Sequence, residues 1–437
     1  MRIVPSPHAR QPGMSIKHVK SSTGTGSFLV QALPPAPASL AKFVDRLSRA
    51  HCLAPDPAQP VARTRRLGIE LALRAVFLPT GADVEIALHL LDEIEAQTQA
   101  KGNCLVQVNQ HRTRAVYCAQ FDSAALLTQI NAAPDRRIWV VSAPQSMQAD
   151  KLVYALRSLL GPVLQHDSVL EYDRGGCPIE TPVRILQVPL LIVRMPSRPT
   201  ERAFYFAILG AIDAVLGSSL LELESKGLRR KESYLEHALQ LLAQLHTGAL
   251  AVVGLNSHHA TVWHFPEFAA AVARIAEAGI VVALFTTGAL QQGAIGTMLR
   301  HLTPQATLEV AGYDRQDHRA LAERYWAVLD RTEALPAQLE MLVSKAHGQR
   351  LFLQLLFSEL NRRLHDPRYR GRHPSTVVDE SLVTTAWRGV IQYLALWNRP
   401  DFEASEVTAA LRDWLPLDIK VKPALARTHS RGARHAV

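Results

Sequence analysis

Short apolar runs and helical periodicities alternate through the middle of the chain. The runs at 138–141, 188–195, 249–255 and 280–288 are nearly continuous in apolar residues, as in strands that are buried on both faces. Between them, stretches such as EFAAAVARIAEAG repeat apolar residues every three or four positions, which is the period of a helix. This alternation predicts an α/β fold in which helices cover both faces of a parallel sheet.

The regions on either side of this core have other patterns. Residues 67–100 are predicted to form helices around a turn at 79–81, because LGIELALRAVFL and ADVEIALHLLDEIEAQ both have helical spacing. Residues 103–122 are predicted to form a short strand pair with a polar turn. After residue 288 helical patterns follow, and the region from residue 315 is predicted to be a small C-terminal helical lid.

Both ends of the chain are basic and lack a periodic apolar face. Residues 1–37 hold six prolines and no acidic residue, so we expect a disordered leader. Residues 420–437 hold five Lys/Arg and no acid, which is typical of a solvated tail, with phosphate contact as the functional alternative. The predicted parts are a leader, a helical lead-in with a short strand pair, an α/β core, a lid and a basic tail, at 1–37, 38–135, 136–314, 315–417 and 418–437.

Composition narrows the partners and the compartment. The formal net charge is +9, which favours polyanionic partners. The four cysteines are far apart and form no CxxC pair, so neither a disulfide framework nor a zinc site is expected. No apolar run reaches the ~20 residues that a membrane span needs. We therefore expect a cytoplasmic protein without a membrane partner.

The stretch RRIWVVSAPQSMQADKLVYALRSLLG, at 136–161, has the outline of a phosphate-binding strand, loop and helix. Its loop contains no glycine. A working phosphate-binding loop uses glycines so that backbone N–H groups can surround the phosphates, a lysine for their charge, and a Ser or Thr hydroxyl for magnesium. The stretch is therefore either a phosphate-binding loop that has lost its chemistry or an ordinary strand–helix turn.

Five blocks occur in a recognisable order: FLPTGADVEIALHLLDEI, RILQVPLLIVRMPSRPTERAFYFAILGAIDAVLGS, HTGALAVVGLNSHH, AGIVVALFTTGALQQ and SKAHGQRLFLQLLFSELNRRL. In this order they resemble the AAA+ ATPase regulators of heteromeric transposons, the TnsC/TniB type, over residues 68–395. The resemblance implies an AAA+ domain with the P-loop NTPase fold, and ATP and Mg2+ as cofactors. It also implies double-stranded DNA, transposase and target-selection proteins as partners, and assembly into a homo-oligomer or filament.

Aligned with that family without a gap, the loop loses its phosphate ligands. Ala143 and Pro144 take the Gly-Pro positions, and Gln148 takes the position of the second glycine. Ala149 then replaces the lysine, and Asp150 replaces the Ser or Thr. A carboxylate ~4 Å from a phosphate costs on the order of several kcal/mol at low effective dielectric, so this alignment predicts lost or weak nucleotide binding.

A shifted alignment gives the alternative. It makes Lys151 the phosphate-binding lysine, but it also puts Asp150 in the glycine position. In the ungapped alignment Lys151 is predicted to be a solvated lysine in the first turn of the helix. Asp150 is then an ordinary acidic residue near a helix start, where the helix dipole favours it.

Three further motifs of the family fall on identifiable residues. The strand 249–255 ends in Gly254 and Leu255, where the family has an Asp for magnesium and a Glu to activate water. Thr286 and Thr287 end the next strand, either as phosphate donors or as strand-end turn residues. Arg350 matches the sensor-2 region, with a surface arginine near a helix start as the alternative.

One internal cluster of basic residues is a candidate DNA contact. Lys226, Arg229, Arg230 and Lys231 lie close together in a predicted loop between two helices. In the regulators that this chain resembles, which form filaments on DNA, basic loops of this region face the duplex. An ordinary solvated loop is the equal alternative.

These observations lead to three hypotheses of function. The first is a DNA-binding, transposase-recruiting regulator whose ATP hydrolysis is lost or weak, which the joint alteration of two catalytic motifs favours. The second is a competent ATPase that uses Lys151, Thr286 and Arg350. The third is a pseudo-ATPase scaffold that joins a partner AAA+ ring without touching DNA. ATP turnover separates the first two hypotheses, and duplex binding separates the first from the third.

Overall fold

The computed structural model describes most of the chain between residues 14 and 396. The described residues are 14–16, 27–35, 39–50, 62–121, 137–172, 177–222, 234–256, 259, 265–287, 302, 304–330, 335–346, 348–369 and 374–396. The candidate DNA contacts at 226–231 and the basic tail at 418–437 lie outside them. No helix within the described ranges is long and apolar enough to cross a membrane.

A parallel five-stranded sheet forms the centre of the fold, in the order β5–β6–β7–β2–β8. The strands are β2 (Ile138–Ala143), β5 (Leu190–Arg194), β6 (Ala249–Asn256), β7 (Val281–Thr287) and β8 (Ala306–Glu309). β8 was not predicted, because it is a short edge strand whose residues alternate between half-buried and exposed. The other four strands were predicted, and the P-loop NTPase-like α/β class is confirmed.

Successive residues of each central strand face opposite sides of the sheet, and both sides are buried. In β2, Trp139 and Val141 pack into one apolar cluster, whereas Ile138 and Val140 pack into another. All the residues of β2 are buried. The nearly continuous apolar runs in the sequence have this cause, because a strand covered on both faces has no position that faces solvent.

Two layers of helices provide that cover. On one face lie α2 (Leu40–Ala50), α3 (Ala62–Ala75), α4 (Gly81–Ala100) and α6 (Asp150–Leu160). On the other face lie α7 (Glu201–Leu216), α8 (Tyr234–Gln244) and α9 (Phe265–Glu277). The two helices predicted around the turn at 79–81 are confirmed as α3 and α4.

The region after residue 315 is helical, as predicted, and it packs on the first face of the sheet. Its helices are α10 (Arg315–Asp330), α11 (Ala337–Lys345), α12 (Arg350–Leu364), α13 (Pro374–Val377) and α14 (Glu380–Leu396). Trp326 and Phe357 belong to the same buried cluster as Trp139 of β2. Burying a large apolar side chain contributes about 1.5–3 kcal/mol, so these helices are held firmly against the core.

The predicted strand pair at 103–122 is wrong, because this segment is the helix α5 (Leu105–Phe121). Its valines and its alternating start suggested strands. α5 instead packs along α8, and Val108 is buried beside the half-buried Leu105. Burial against a neighbouring helix outweighs the modest strand preference of β-branched residues.

A second, small sheet also lacks a counterpart among the predicted elements. It consists of β1 (Met14–Ile16), β3 (Leu164–Tyr172) and β4 (Pro178–Gln187), with β1 parallel to β3 and β4 antiparallel to it. The short helix α1 (Phe28–Gln31) packs with this sheet and with α5 in a satellite apolar cluster. β1 and α1 both lie within residues 1–37, where a leader without regular structure was expected.

Candidate functional site

The loop after β2 connects a strand to a helix, as a phosphate-binding loop does, but it contains no glycine. Pro144 follows the strand directly, a turn of 3-10 helix spans Gln145–Met147, and α6 begins at Asp150. Gln148, in the position of the second glycine, has φ of 49°. This is a left-handed conformation that glycine adopts with less strain. The backbone N–H of Met147 closes the turn by donating to the carbonyl of Pro144 at 2.8 Å.

Thr286 and Thr287 lie beside this loop, at the end of β7. Thr287 pairs with Ala143 across the two parallel strands. The hydroxyl of Thr286 donates to the carbonyl of Val141 at 3.4 Å, and that of Thr287 donates to the carbonyl of Leu255 at 3.3 Å. Each hydroxyl proton is therefore used within the sheet, which fits the strand-end alternative. A role for either residue as a phosphate donor stays a prediction.

The end of β6 offers no group that could replace the family's two acids. Gly254 has φ of 83° and is exposed, and Leu255 is fully buried in the core. Asn256 and His259 bond each other reciprocally, through N–H to Nδ1 at 3.2 Å and N–H to Oδ1 at 3.1 Å. Among the residues that the structure describes, no group of three His, Cys, Asp or Glu could hold a metal ion.

Arg350, the first residue of α12, is fully buried. Its Nη2 donates to Oδ2 of Asp83 at 2.7 Å, and its Nε donates to the hydroxyl of Tyr313 at 2.7 Å. Asp83 is also fully buried, and it accepts from the N–H of Thr80 at 2.8 Å in the capping box that begins α4. The alternative of a surface arginine is therefore wrong. Arg350 forms an internal ion pair.

The same guanidinium also holds the loop after β2. Nη1 donates to the backbone carbonyls of Met147 at 2.7 Å and Gln148 at 3.3 Å, while Nη2 donates to the carbonyl of Leu78 at 3.2 Å. These carbonyl oxygens occupy donors that a phosphate oxygen would otherwise need. The loop, the turn before α4 and the start of α12 are thus joined through one cation.

Two aromatic rings enclose this cation. The guanidinium carbon lies 4.7 Å from the ring centre of Phe77 and 5.2 Å from that of Tyr313, a geometry in which the ring faces attract a cation. Burial alone lowers the pKa of Arg350, but Tyr313 and Asp83 together raise it above its ordinary value. Burial raises the pKa of Tyr313 well above its ordinary value. At neutral pH the arginine is therefore charged and the phenol is neutral.

Lys151 is buried, with 7% of its surface exposed, so the prediction of a solvated lysine is wrong. Its Nζ donates to the carbonyl of Val76 at 3.1 Å and to Oε1 of Gln354 at 3.0 Å. Burial, and after it the charge of Arg350, lower the pKa of Lys151 to about 7 against a smaller opposing effect of Asp150. The ammonium is thus directed at protein acceptors on α12 and before α4.

Further side-chain contacts attach the loop to the start of α12. The hydroxyl of Ser146 donates to Oε1 of Gln349 at 2.7 Å, and Nε2 of Gln148 donates to Oε1 of Gln354 at 3.0 Å. Gly348 approaches this region closely, since its φ is 69° and an added Cβ would lie 2.5 Å from the carbonyl oxygen of Tyr313. Only glycine fits at that position without a shift of the backbone.

The residues at this loop do not fit a bound ATP with Mg2+. The lysine and the arginine nearest the loop are both engaged by protein oxygens. Asp150 lies at the start of α6, as the sequence predicted, and is half-buried. Its carboxylate would repel a phosphate at the position where a hydroxyl is needed for magnesium. The end of β6 supplies no carboxylate for the metal. We therefore derive no nucleotide chemistry from this site.

Several residues that shape the site were not singled out from the sequence. Asp83, Tyr313, Gln349 and Gln354 come from separate segments, and the fold brings them together around the loop. Asp83 alone had a local signal, because Thr80 and Asp83 have the spacing of a capping box. That spacing predicts a helix start, and it contains no information about a distant arginine.

Comparisons with known proteins add little to the geometry. No protein-family model matches this chain, and no curated protein matches it. Among solved structures, one described as the structure of C. elegans PCH-2 is similar over 78% of this chain and 74% of that chain, with a TM-score of 0.35 and 8% sequence identity. Similarity at this level has no bearing on the activity or the partners of this chain.

The buried ion pair gives a test of the site's role in stability. We expect Arg350→Met to lower the free energy of unfolding by about 3–5 kcal/mol, because it leaves the buried carboxylate of Asp83 without its counter-charge. Arg368→Met removes an exposed arginine that is paired with Asp366, and it should change stability by less than about 1 kcal/mol. Urea unfolding measures both. An equal effect of the two substitutions would contradict the assigned role of Arg350.

Lys151 gives a second test, through pH. Below about pH 7 the folded and unfolded chains both hold the ammonium proton, and the folded chain carries the full cost of burying it. Between about pH 7 and the ordinary lysine value of 10.5, the unfolded chain keeps a proton that the folded chain has released. Stability from this residue therefore rises with pH across that window, by at most about 1.4 kcal/mol per unit.

Lys151→Met should remove this rise from urea-unfolding data recorded across the window. Lys42→Met, at an exposed position of α2, should leave the rise in place. Lys101, whose pKa burial lowers to about 8, should add its own smaller rise above that pH in every variant. A rise in Lys151→Met as steep as that of the wild-type protein would contradict the lowered pKa of Lys151.

Proposed function

We propose that this chain is a TnsC/TniB-like AAA+ protein that acts in DNA transposition as a DNA-binding recruiter of transposase, with ATP hydrolysis lost or weak. The observation that carries the proposal is the engagement of Arg350 and Lys151 by protein oxygens around the loop after β2. The order of sequence blocks supports the family, and the P-loop NTPase-like sheet agrees with it. We expect the protein to work in the cytoplasm.

In this proposal the protein works by assembly and not by turnover. A ligand shifts a conformational equilibrium only as far as it binds one state better than the other. Because the cations at this loop already bind protein oxygens, a phosphate adds little binding free energy there. Nucleotide should therefore hardly change the contact between the loop and α12. The protein then presents the same surfaces to DNA, to transposase, to target-selection proteins and to further copies of itself, whether or not ATP is present.

The proposed DNA contacts are Lys226, Arg229, Arg230 and Lys231, which the sequence places within six consecutive residues. The net charge of +9 supports a polyanionic partner. Such contacts neutralise phosphates and read no bases, so binding should be insensitive to sequence. Filament formation on the duplex would follow from repeating this contact along the DNA.

The competing enzyme hypothesis makes a definite demand on the structure. For Lys151 and Arg350 to bind ATP, both must leave their present acceptors, and the buried Asp83 must stay without its partner for the time of binding. Removing one member of a buried ion pair costs about 3–5 kcal/mol. Nucleotide would therefore have to offset that loss before any net affinity was gained.

ATP turnover decides between these hypotheses. We expect phosphate release by the purified protein to equal the background, with and without duplex DNA, because neither Gly254 nor Leu255 can hold a metal or accept a proton. Lys151→Ala should leave this background unchanged. Hydrolysis by the wild-type protein that disappears in Lys151→Ala would establish the enzyme hypothesis in place of ours.

Duplex binding decides between the recruiter and a scaffold that does not touch DNA. We expect the affinity for a labelled duplex, measured by fluorescence anisotropy, to fall with salt at a log–log slope of about −0.9 per phosphate contact. Changing Arg229, Arg230 and Lys231 together to alanine should weaken binding and flatten the slope by roughly two to three units. Deleting 418–437 should have a smaller effect, because a segment that the sequence predicts to be a solvated tail would lose more entropy when it docks.

The matched control removes the same charge elsewhere. Arg49, Arg319 and Arg368 are exposed arginines on other elements, and their joint change to alanine should preserve most of the slope. Failure of the wild-type protein to bind at low salt, or an equal loss in the two triple variants, would favour the scaffold hypothesis.

A further inference from the structure

A polar cleft of about 450 Å3 lies at the elbow between α4 and α5. This volume is within the range of sites that hold small ligands. The cleft is formed by the last turn of α4, the connection at 101–103 and one side of α5. Its lining residues are Gln99, Ala100, Lys101, Gly102, Asn103, Gln107, Gln110, His111 and Arg114.

The lining has cations and amides but no carboxylate. Lys101, His111 and Arg114 supply cationic or ionisable nitrogen, and the remaining polar groups are the side-chain amides of Asn and Gln. The nearby carboxylate of Glu171 is engaged at the start of α5, where it accepts from the N–H of Leu105 at 2.7 Å. An uncompensated positive site with amide hydrogen-bonding groups matches the chemistry of an anion that has several oxygen acceptors.

Lys101 contributes a buried positive charge to the lining of this cleft. The residue is 6% exposed, and its Nζ donates to the carbonyl of Thr247 at 2.7 Å. An ammonium group carries three donors, so this bond holds the charge in place without neutralising it. Burial lowers the pKa of Lys101 to about 8, which leaves the charged form in the majority at neutral pH.

The pKa values of two neighbouring histidines are lowered by burial and by the same positive charges. Burial, and after it the charges of Lys101 and Arg114, lower the pKa of His111 to about 4. His246, buried directly before Thr247, has its pKa lowered to about 3 by burial and then by Lys101 and Arg112. Nε2 of His246 and the hydroxyl of Thr247 have no hydrogen-bond partner among the described residues. Among the described residues, the lining of the cleft therefore gathers basic groups and contains no acid.

We propose that the cleft between α4 and α5 binds a phosphate group of a larger ligand, with Lys101 and Arg114 as its cationic contacts and the amides of Gln107 and Gln110 as further hydrogen-bonding groups. The phosphate belongs either to a DNA backbone or to a free phosphorylated molecule, since both present the same oxygens. The cleft shares no residue with the loop after β2 or with the basic cluster of the sequence at 226–231. Phosphate binding at the cleft is therefore independent of the proposed function.

Two substitutions test the cleft without disturbing the core, because both residues are exposed. Arg114→Gln removes a cation, and Gln110→Glu introduces a carboxylate that repels phosphate. Titration calorimetry with inorganic pyrophosphate measures the free-phosphate source, and anisotropy with a short labelled duplex measures the DNA source. We expect each substitution to weaken the binding of at least one probe by about tenfold or more, as for the loss of a charge-assisted hydrogen bond.

Matched controls separate the site from general charge. Arg368→Gln and Gln316→Glu make the same chemical changes at exposed positions on other elements, and they should alter binding by less than about twofold. A loss confined to the duplex identifies the DNA backbone as the source, and a loss confined to pyrophosphate identifies a free phosphate. No loss with either probe, or an equal loss in the controls, overturns the proposal.

Discussion

The buried guanidinium of Arg350 is the contact on which the arrangement around the loop depends. A charge without solvent must be paired and fully hydrogen-bonded, or its burial costs more than the fold can offset. Arg350 meets this demand with the carboxylate of Asp83, the hydroxyl of Tyr313 and three backbone carbonyls, those of Met147, Gln148 and Leu78. All the hydrogen bonds of Arg350 therefore require one relative position of the loop after β2, the turn before α4 and the C-terminal helices.

This demand also explains how a loop without glycine keeps its shape. Gln148 adopts a left-handed conformation that costs a residue with a side chain about 1 kcal/mol or more. Its carbonyl accepts from Arg350 and its amide donates to Gln354, so two contacts from α12 offset the strain. In a working phosphate-binding loop a cation binds the phosphate of a ligand. Here the cation of Arg350 binds the backbone carbonyls of the loop itself.

The two buried lysines differ in what surrounds them. Lys151 donates to two protein acceptors, while burial and the like charge of Arg350 favour its neutral amine. Lys101 meets one carbonyl and lies at an open cleft that contains no acid. The first lysine completes an internal contact, whereas the second lines a cleft that is open to a ligand. For this reason the contacts at the loop have a structural role, and the cleft is the proposed phosphate site.

The sequence by itself determined the class of the fold, four of the five strands of the central sheet and most of the helices, because a strand covered on both faces and an amphipathic helix each leave a local pattern of apolar residues. It also showed that the glycines of the loop and the acids after β6 are missing. The prediction of strands at 103–122 was wrong, because the valines of this segment favour strands locally. The helix α8, against which α5 packs, lies far away in sequence. Only the tertiary structure decided that Lys151 and Arg350 are buried. Whether a charged side chain is solvated or paired depends on residues that are close in space and distant along the chain, such as Asp83 and Gln354, and no local pattern contains that information.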